Sequence, residues 1–118
     1  MTIRDVITLL DANVLSEDIN LDHPIETVCG SDMMSDVLAF IKKDALLLTG
    51  LNNLQVIRTA EMLDVVCLVF IRGKKPTEDM IAMAADRGIY MLQSKLTMFD
   101  ACGRLYEAGF RGGNRIDE

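Results

Sequence analysis

Short apolar runs alternate with amphipathic segments along this chain of 118 residues. In the amphipathic segments, apolar residues return every three or four positions, which is the period of a helix with one buried face. In the short runs they are contiguous or alternate with polar residues, which is typical of strands. The pattern predicts strands over residues 13–16, 25–29, 45–49, 65–71 and 88–93, and helices over residues 2–10, 32–41, 53–63, 76–88 and 95–107.

Two of the predicted strands, residues 45–49 and 65–71, are apolar almost throughout. Such strands are buried on both faces, as in the centre of a parallel sheet covered by helices. Parallel strands joined through helices need right-handed crossovers. We therefore predict an α/β fold with three layers, a mostly parallel central sheet of about four to five strands and helices on both faces. Residues 1–110 form one domain in this prediction, and residues 111–118 form a disordered tail.

Helix boundaries and buried faces follow from the same pattern. The residues expected at helix boundaries are the N-caps Ser31, Ser94 and either Asn52 or Asn53, Pro76 at a first helical position, and Gly88 and Gly109 at helix ends. The residues expected on buried helix faces are Met33, Met34, Val37, Leu38 and Ile41 in one helix and Leu54, Ile57 and Met62 in the next.

Charge and composition exclude several classes of partner. The net charge of −6 disfavours nucleic acid and anionic membranes, since both require a basic surface. The two lysine pairs, 42–43 and 74–75, stand among acidic residues and are expected on a solvated surface. The longest apolar run is far too short to span a bilayer, and the first residues lack the pattern of a signal peptide. Three widely spaced cysteines without a C-x-x-C pair fit the reducing cytoplasm.

The best candidate for a ligand site is the edge where parallel strands end and helices begin. The residues that we expect there are Gly30, Ser31, Asp32, Thr49, Asn52, Arg72 and Thr97. Arg72 would meet an anion, the helix N-termini would supply N–H donors, and Thr49 and Asn52 would orient polar groups. Capping and turn formation are the competing explanation for each of these positions.

No catalytic motif is recognisable. The loop after residues 45–49 lacks the lysine and the second glycine of a P-loop, and neither G-x-G-x-x-G nor G-x-S-x-G occurs. His23 beside Pro24 is expected in a turn rather than as a general base. Asp32 and Asp36 could share Mg²⁺, but complementing the helix dipole is the commoner role of such acids. We expect a protein that is not an enzyme, with no cofactor and no metal.

Cysteine and methionine leave two further alternatives open. Cys29 stands at a strand end before a helix, where a helix dipole would lower the pKa of a thiol, so it is the candidate for a reactive cysteine; simple burial is the competing explanation. The eight methionines fill gaps in the core or form an adaptable binding surface.

The order of these motifs resembles the DRTGG domain family. The segments that carry the resemblance are residues 28–37, which contain Gly30-Ser31-Asp32, then 46–50, 65–73, Pro76, 88–92 and 97–99. The opening residues 2–10, 14–15 and 21–25 are similar to the N-terminal domain of HPr kinase/phosphorylase, which has a related fold. The resemblance covers residues 1–109. At Leu51-Asn52-Asn53 the chain departs from the charged pair that is common in the family, which puts an inherited phosphate contact there in doubt.

The resemblance implies a regulatory role. Some DRTGG domains stand beside CBS domains, and stand-alone versions are often encoded near iron-only hydrogenases and electron-bifurcating enzymes. The leading hypothesis is a non-catalytic regulatory module, a homodimer, that binds a nucleotide or phosphate ester and is linked to anaerobic redox metabolism. The alternatives are an interaction or assembly subunit that docks onto a redox enzyme, and a thiol-based redox sensor that uses Cys29.

Overall fold

The computed structural model describes residues 1–40 and 43–112. The helices are α1 (Ile3–Leu10), α2 (Met34–Phe40), α3 (Leu54–Met62), α4 (Glu78–Asp86) and α5 (Met98–Ala108). The strands are β1 (Asn13–Val14), β2 (Thr27–Gly30), β3 (Ala45–Thr49), β4 (Val65–Phe70) and β5 (Tyr90–Gln93). The predicted α/β class and the predicted order of elements are confirmed.

All five strands form one sheet in the order β1-β5-β4-β3-β2. Strands β2 to β5 are parallel to their neighbours, and the short β1 pairs with β5 in the antiparallel direction. Strand β3 lies between β2 and β4, and all five of its residues are buried. Its apolar composition thus has the predicted cause, because helices cover both of its faces.

Two hydrophobic cores lie on opposite faces of the sheet. Residues of α1 and α5 pack on one face, and residues of α2, α3 and α4 pack on the other. This distribution follows from topology, since right-handed crossovers between successive neighbouring strands place their helices on the same side. Adjacent residues of β3 serve different cores, with Leu46 in the first and Leu47 in the second.

The starts of two helices differ from the prediction. Helix α5 begins after Thr97, whose hydroxyl accepts a bond from the Asp100 N–H, so the predicted cap Ser94 is wrong. Ser94 is instead buried and donates to the Leu10 carbonyl at 2.8 Å, which ties the β5 end to α1. Helix α4 is capped by Thr77, so Pro76 precedes the cap rather than opening the helix.

Asn53, Gly88 and Gly109 behave as the sequence predicts, but the predicted N-cap Ser31 is wrong, because α2 begins three residues later at Met34. Asn53 caps α3 by accepting a bond from the Val56 N–H. Gly88 and Gly109 have φ angles of 71° and 113°, in the left-handed region that ends helices.

Three residues that were expected in buried helix faces are exposed: Met33, Leu38 and Met62. In α3 the buried stripe is Val56, Ile57 and Ala60, which turns Met62 outward in the last turn with 69% exposure. Helix α2 has seven residues and is too short to bury a wide stripe, and its described buried residues are Met34 and Val37. The prediction for Ile41 lies outside the described residues.

The first residue and the end of α5 lie side by side. A Cβ atom on Gly109 would come within 2.6 Å of the Met1 Cε, and the Met1 carbonyl accepts a bond from the Ile25 N–H. Arg111 continues past α5 to the edge strand β2, where its carbonyl accepts a bond from the Val28 N–H at 3.0 Å. Of the predicted disordered tail, residues 111–118, the last six residues lie outside the described residues.

In the described parts of the chain, no helix combines the length and the apolar character needed to cross a membrane.

Candidate functional site

Four residues from three neighbouring strand ends meet at the edge where the parallel strands finish. Asp32 follows β2, Thr49 and Gly50 stand at the end of β3, and Arg72 follows β4. These strands are adjacent and parallel, so their carboxyl ends bring the four residues together. We call Asp32, Thr49, Gly50 and Arg72 the carboxyl-edge cluster. Three of them, all but Gly50, are among the predicted site residues.

The Asp32 carboxylate is the acceptor at the centre of the carboxyl-edge cluster. Its Oδ1 accepts a bond from the Gly50 N–H at 2.6 Å and another from the Thr49 hydroxyl at 3.1 Å. The Thr49 oxygen itself accepts a bond from the Leu51 N–H at 3.2 Å. Because that bond uses a lone pair, the Thr49 hydroxyl proton is left to point toward the cluster.

Arg72 supplies the positive charge of the cluster. Its Nη2 lies 3.6 Å from the Asp32 Oδ2, and both side chains remain about half exposed, at 48% and 43%. A half-exposed ion pair is well screened by water and contributes little net stability, so charge attraction alone does not explain where Arg72 lies.

The backbone around Arg72 fixes its position independently of Asp32. Arg72 has a φ angle of 57°, which is unusual for a residue with a side chain. Its N–H donates to the Leu96 carbonyl at 2.8 Å, and the next N–H, of Gly73, donates to Ser94 at 2.9 Å. Gln93 donates from Nε2 to the carbonyls of Gly73 and Lys74 and so braces the same turn.

Gly50 gives the guanidinium room to lie over the β3 end. A Cβ atom at this position would approach the Arg72 Nη2 to 2.1 Å, far inside contact distance. With glycine at this position the Arg72 guanidinium lies against the β3 end, whereas any side chain would have to push it aside. The result is a fixed set of a guanidinium, a hydroxyl and a backbone N–H around one position that holds an anionic group.

The other predicted site residues have separate partners. The Asn52 Nδ2 donates to the Lys75 carbonyl at 3.3 Å, and the Thr97 hydroxyl caps α5. The Ser31 Oγ accepts a bond from the Met33 N–H at 2.9 Å. Gly30 faces α5, where an added Cβ would lie 2.8 Å from Met98 and Cys102 sulfur atoms. These four residues stand near the edge, but none of these contacts joins them to the carboxyl-edge cluster.

Helix N-termini contribute less to the site than the sequence indicated. Each of α3, α4 and α5 has a capping side chain that accepts one of its first N–H groups. Those caps already satisfy donors that were expected to meet a ligand. The donors in the carboxyl-edge cluster come instead from the β3 end and from the turn after β4.

Sequence reasoning missed two contributors to this site. The sequence placed Gly50 at this edge as a turn glycine, which was a signal for close approach, but it did not assign the Gly50 N–H as a donor. Gln93 was assigned only to a strand, and nothing in its neighbourhood marked its side chain as the brace of the Arg72 turn.

The Cys29 prediction requires a correction. Burial, a nearby Cys102 and the Asp36 carboxylate raise the pKa of the Cys29 thiol, in that order of size. The expected lowering by a helix dipole is therefore wrong, since α2 is short and desolvation dominates. A neutral thiol is a poor nucleophile, which removes the chemical basis for a redox sensor at Cys29.

Larger clefts lie at the opposite edge, where the parallel strands begin. One, of about 540 Å³, lies between residues 15–18 and helix α4, and another, of about 350 Å³, contains His23 and Arg87. The described lining of the 540 Å³ cleft includes the acidic Glu17 and Asp18 and no Lys or Arg, and the cationic group of the other cleft is already engaged. Arg87 pairs with both Glu61 and Asp86, and the His23 Nδ1 donates to the Pro24 carbonyl at 2.9 Å. We therefore place the candidate site at the carboxyl-edge cluster rather than in the larger clefts.

No group of three or more His, Cys, Asp or Glu residues is close enough to hold a metal ion within residues 1–40 and 43–112. Asp32, which the sequence paired with Asp36 as a possible Mg²⁺ ligand, directs its carboxylate to Thr49, Gly50 and Arg72 instead.

Comparison with known proteins identifies the family. The model of the DRTGG domain matches residues 5–108, which is most of the chain. The chain therefore belongs to the DRTGG domain family, as the resemblance of its motifs predicted.

A solved structure shares the fold. It contains the CBS and DRTGG domains of the regulatory region of a Clostridium perfringens pyrophosphatase, in complex with its activator diadenosine tetraphosphate. The two chains are 17% identical with a TM-score of 0.74, and the match covers 88% of this chain and 45% of the other. The chain thus corresponds to less than half of that regulatory region. A comparison with curated proteins found no match.

Proposed function

We propose that this protein is a non-catalytic regulatory module that binds a nucleotide or another phosphate ester at the carboxyl-edge cluster. The observation that carries the proposal is the convergence of the Arg72 guanidinium, the Thr49 hydroxyl and the Gly50 N–H on one anionic group. Guanidinium, hydroxyl and backbone N–H groups are the donors that proteins use for phosphate oxygens.

The solved relative supports a regulatory ligand of this chemistry. Its regulatory region, which includes a DRTGG domain, is complexed with a nucleotide activator. Asn52 and Thr97 lie beside the carboxyl-edge cluster in this proposal and orient the remainder of the ligand. Gly30 and Ser31 shape the loop that carries Asp32. We place the protein in the cytoplasm, which suits its free cysteines.

A thermal-shift series tests the proposal. A ligand that binds only the folded protein raises its apparent stability, so adenine nucleotides and inorganic phosphate are titrated against the wild type and Arg72→Ala. We expect a concentration-dependent rise in Tm for the wild type and at least a tenfold loss of affinity in Arg72→Ala, which corresponds to roughly 1.4 kcal/mol.

A matched control separates the site from general charge. Arg104→Ala removes the same charge from α5, where the guanidinium contacts the Leu9 carbonyl and not the carboxyl-edge cluster. Equal loss of binding in the two variants, or unchanged affinity in Arg72→Ala, would show that the site assignment is wrong.

A second candidate function is a protein-interaction or assembly role, as a homodimer or as a subunit docked onto a redox enzyme. It is favoured by Phe99 and Tyr106, which are 85% and 62% exposed on one side of α5. Large exposed aromatics on one surface are typical of interaction sites. Retention of a hydrogenase-type partner during purification, with no effect of nucleotides on Tm, distinguishes this role from ligand binding.

A further inference from the structure

The carboxyl-edge cluster has an unusual feature for an anion site, because its anionic position is filled by a side chain of the same protein. The Asp32 Oδ1 accepts both the Gly50 N–H and the Thr49 hydroxyl, and its Oδ2 faces Arg72. A phosphate oxygen would accept the same donors with the same geometry. We propose that Asp32 is an internal competitor that occupies this position in the free protein, and that a phosphate group binds by displacing its carboxylate. The inference rests on the proposed function of the same site.

The Thr49 hydroxyl and the Gly50 N–H do not depend on Asp32 for their positions, and the Arg72 side chain extends from a turn that does not depend on Asp32 either. Thr49 is fully buried in β3, and its hydroxyl is oriented by the Leu51 N–H. Arg72 is held by the backbone bonds of its own turn to Leu96 and Ser94. Removal of the carboxylate therefore leaves a formed receptor with unsatisfied donors, which favours binding of another anion.

The Asp32 side chain is also free to leave. Its backbone neighbours are anchored, since the Ser31 N–H donates to the Leu48 carbonyl at 3.0 Å, but its carboxylate is nearly half exposed. Rotation of the side chain moves the carboxylate into water, where its hydration replaces the lost bonds. Because the half-exposed pair with Arg72 is weak, a phosphate dianion with three acceptor oxygens competes effectively.

This arrangement predicts opposite effects for two residues that contact each other. Loss of Arg72 weakens phosphate binding, whereas loss of Asp32 strengthens it. If Asp32 served only to shape the loop, its loss would weaken binding or leave it unchanged. The sign of the Asp32 effect therefore separates the competitor from a structural role.

Calorimetric titration with inorganic phosphate and with ADP tests the inference on the wild type, Asp32→Ala, Asp32→Asn and Arg72→Ala. Asp32→Asn keeps the size of the side chain, which covers the case in which Asp32→Ala fails to fold. Asp36→Ala is the matched control. Asp36 is exposed on α2, carries the same charge as Asp32 and does not contact the carboxyl-edge cluster. We expect at least tenfold tighter binding in the Asp32 variants and a change below about twofold in Asp36→Ala.

The outcomes separate the inference from the proposed function. Arg72-dependent binding that is unchanged or weakened by both Asp32 substitutions overturns the competitor and leaves the site in place. Equal tightening in Asp36→Ala also overturns it, because net charge then explains the effect. Binding in the Asp32 variants alone, lost again in Asp32→Ala/Arg72→Ala, supports the competitor in its strongest form. No binding by any variant overturns the proposed function and with it the inference.

Discussion

The three thiols of this protein differ in burial, but the pKa of each is shifted in the same direction. Cys67 is fully enclosed in β4, while Cys29 and Cys102 are partly buried. Burial raises the pKa of each thiol, because water stabilises the thiolate and the interior does not. All three are thus held in the neutral form, and the fold resists their ionisation.

Stability should fall in alkaline solution because of Cys67. In the unfolded chain this thiol ionises above its ordinary pKa of 9.0, whereas in the fold it stays protonated, so the unfolded state binds fewer protons. The contribution is complete below that pH and is lost above it, at roughly 1.4 kcal/mol per pH unit. Urea unfolding at several values between pH 8 and pH 10.5 measures the slope.

The control for that slope is Cys67→Ala. Lysines and tyrosines titrate in both proteins, so the difference between the two slopes isolates the buried thiol. The variant should lose stability less steeply with pH, even though its smaller side chain lowers the starting value. Identical slopes would contradict the assignment.

At the level of single residues, the sequence predicted positions better than contacts. It placed Asp32, Thr49 and Arg72 at one sheet edge, because strand ends in a parallel sheet share an edge. It did not predict that Asp32 accepts the Gly50 N–H, since that contact depends on the path of the loop after β2. It also did not predict the left-handed backbone of Arg72, because nothing in the sequence marks an arginine for such a conformation.

The start of α5 shows what decides a helix boundary at the level of elements. Ser94 and Thr97 are both suitable caps by residue type. Ser94 is used for a buried bond to Leu10, and residues 95–96 carry the chain past the end of β5 before the helix begins at Met98. The tertiary contact of Ser94 with α1 therefore decides that Thr97 caps α5. The local sequence does not show that contact.

Replacement of Thr97 should destabilise the protein by about 1 kcal/mol. The Thr97 hydroxyl accepts the Asp100 N–H, and an alanine leaves that donor without a partner in the first turn. Chemical denaturation of Thr97→Ala measures the loss, and Thr97→Ser, which keeps the oxygen, should unfold close to the wild type. Equal losses in the two variants would point to the methyl group rather than the cap.

The sequence pattern also did not predict the register between β3 and β4. Ala45 pairs with Val65 but Leu46 pairs with Cys67, so Val66 is an extra residue in β4. Such a bulge changes which side chains share a face. It explains why Val65 and Leu68 belong to the same core, although strict alternation would separate them.

At the scale of the molecule, the described residues form two cores that share one sheet. Strands β3 and β4 contribute to both cores, so neither face can lose its packing without exposing the other side of the same strands. The fold class and this layering were predictable, because wholly apolar strands require cover on both faces. The exposure of Phe99 and Tyr106 on α5 was not predictable, because the sequence of a helix does not show which part of its surface stays uncovered.

Two adjacent substitutions in β3 should therefore behave alike. Leu46→Ala opens a cavity under α1 and α5, and Leu47→Ala opens one under α2 to α4. Each should lower the free energy of unfolding by about 2–5 kcal/mol. Both variants should still unfold in a single transition when followed by circular dichroism and by tyrosine fluorescence. Separate transitions in either variant would mean that the two faces are independently stable.

Met1 contacts Gly109, so the beginning and the end of the folded domain lie close together. A chain that enters the domain at its first residue and leaves it after α5 does so at nearly the same point in space, the geometry in which domain insertion is best tolerated. A host protein can therefore receive the unit within a surface loop without moving the two ends of that loop apart.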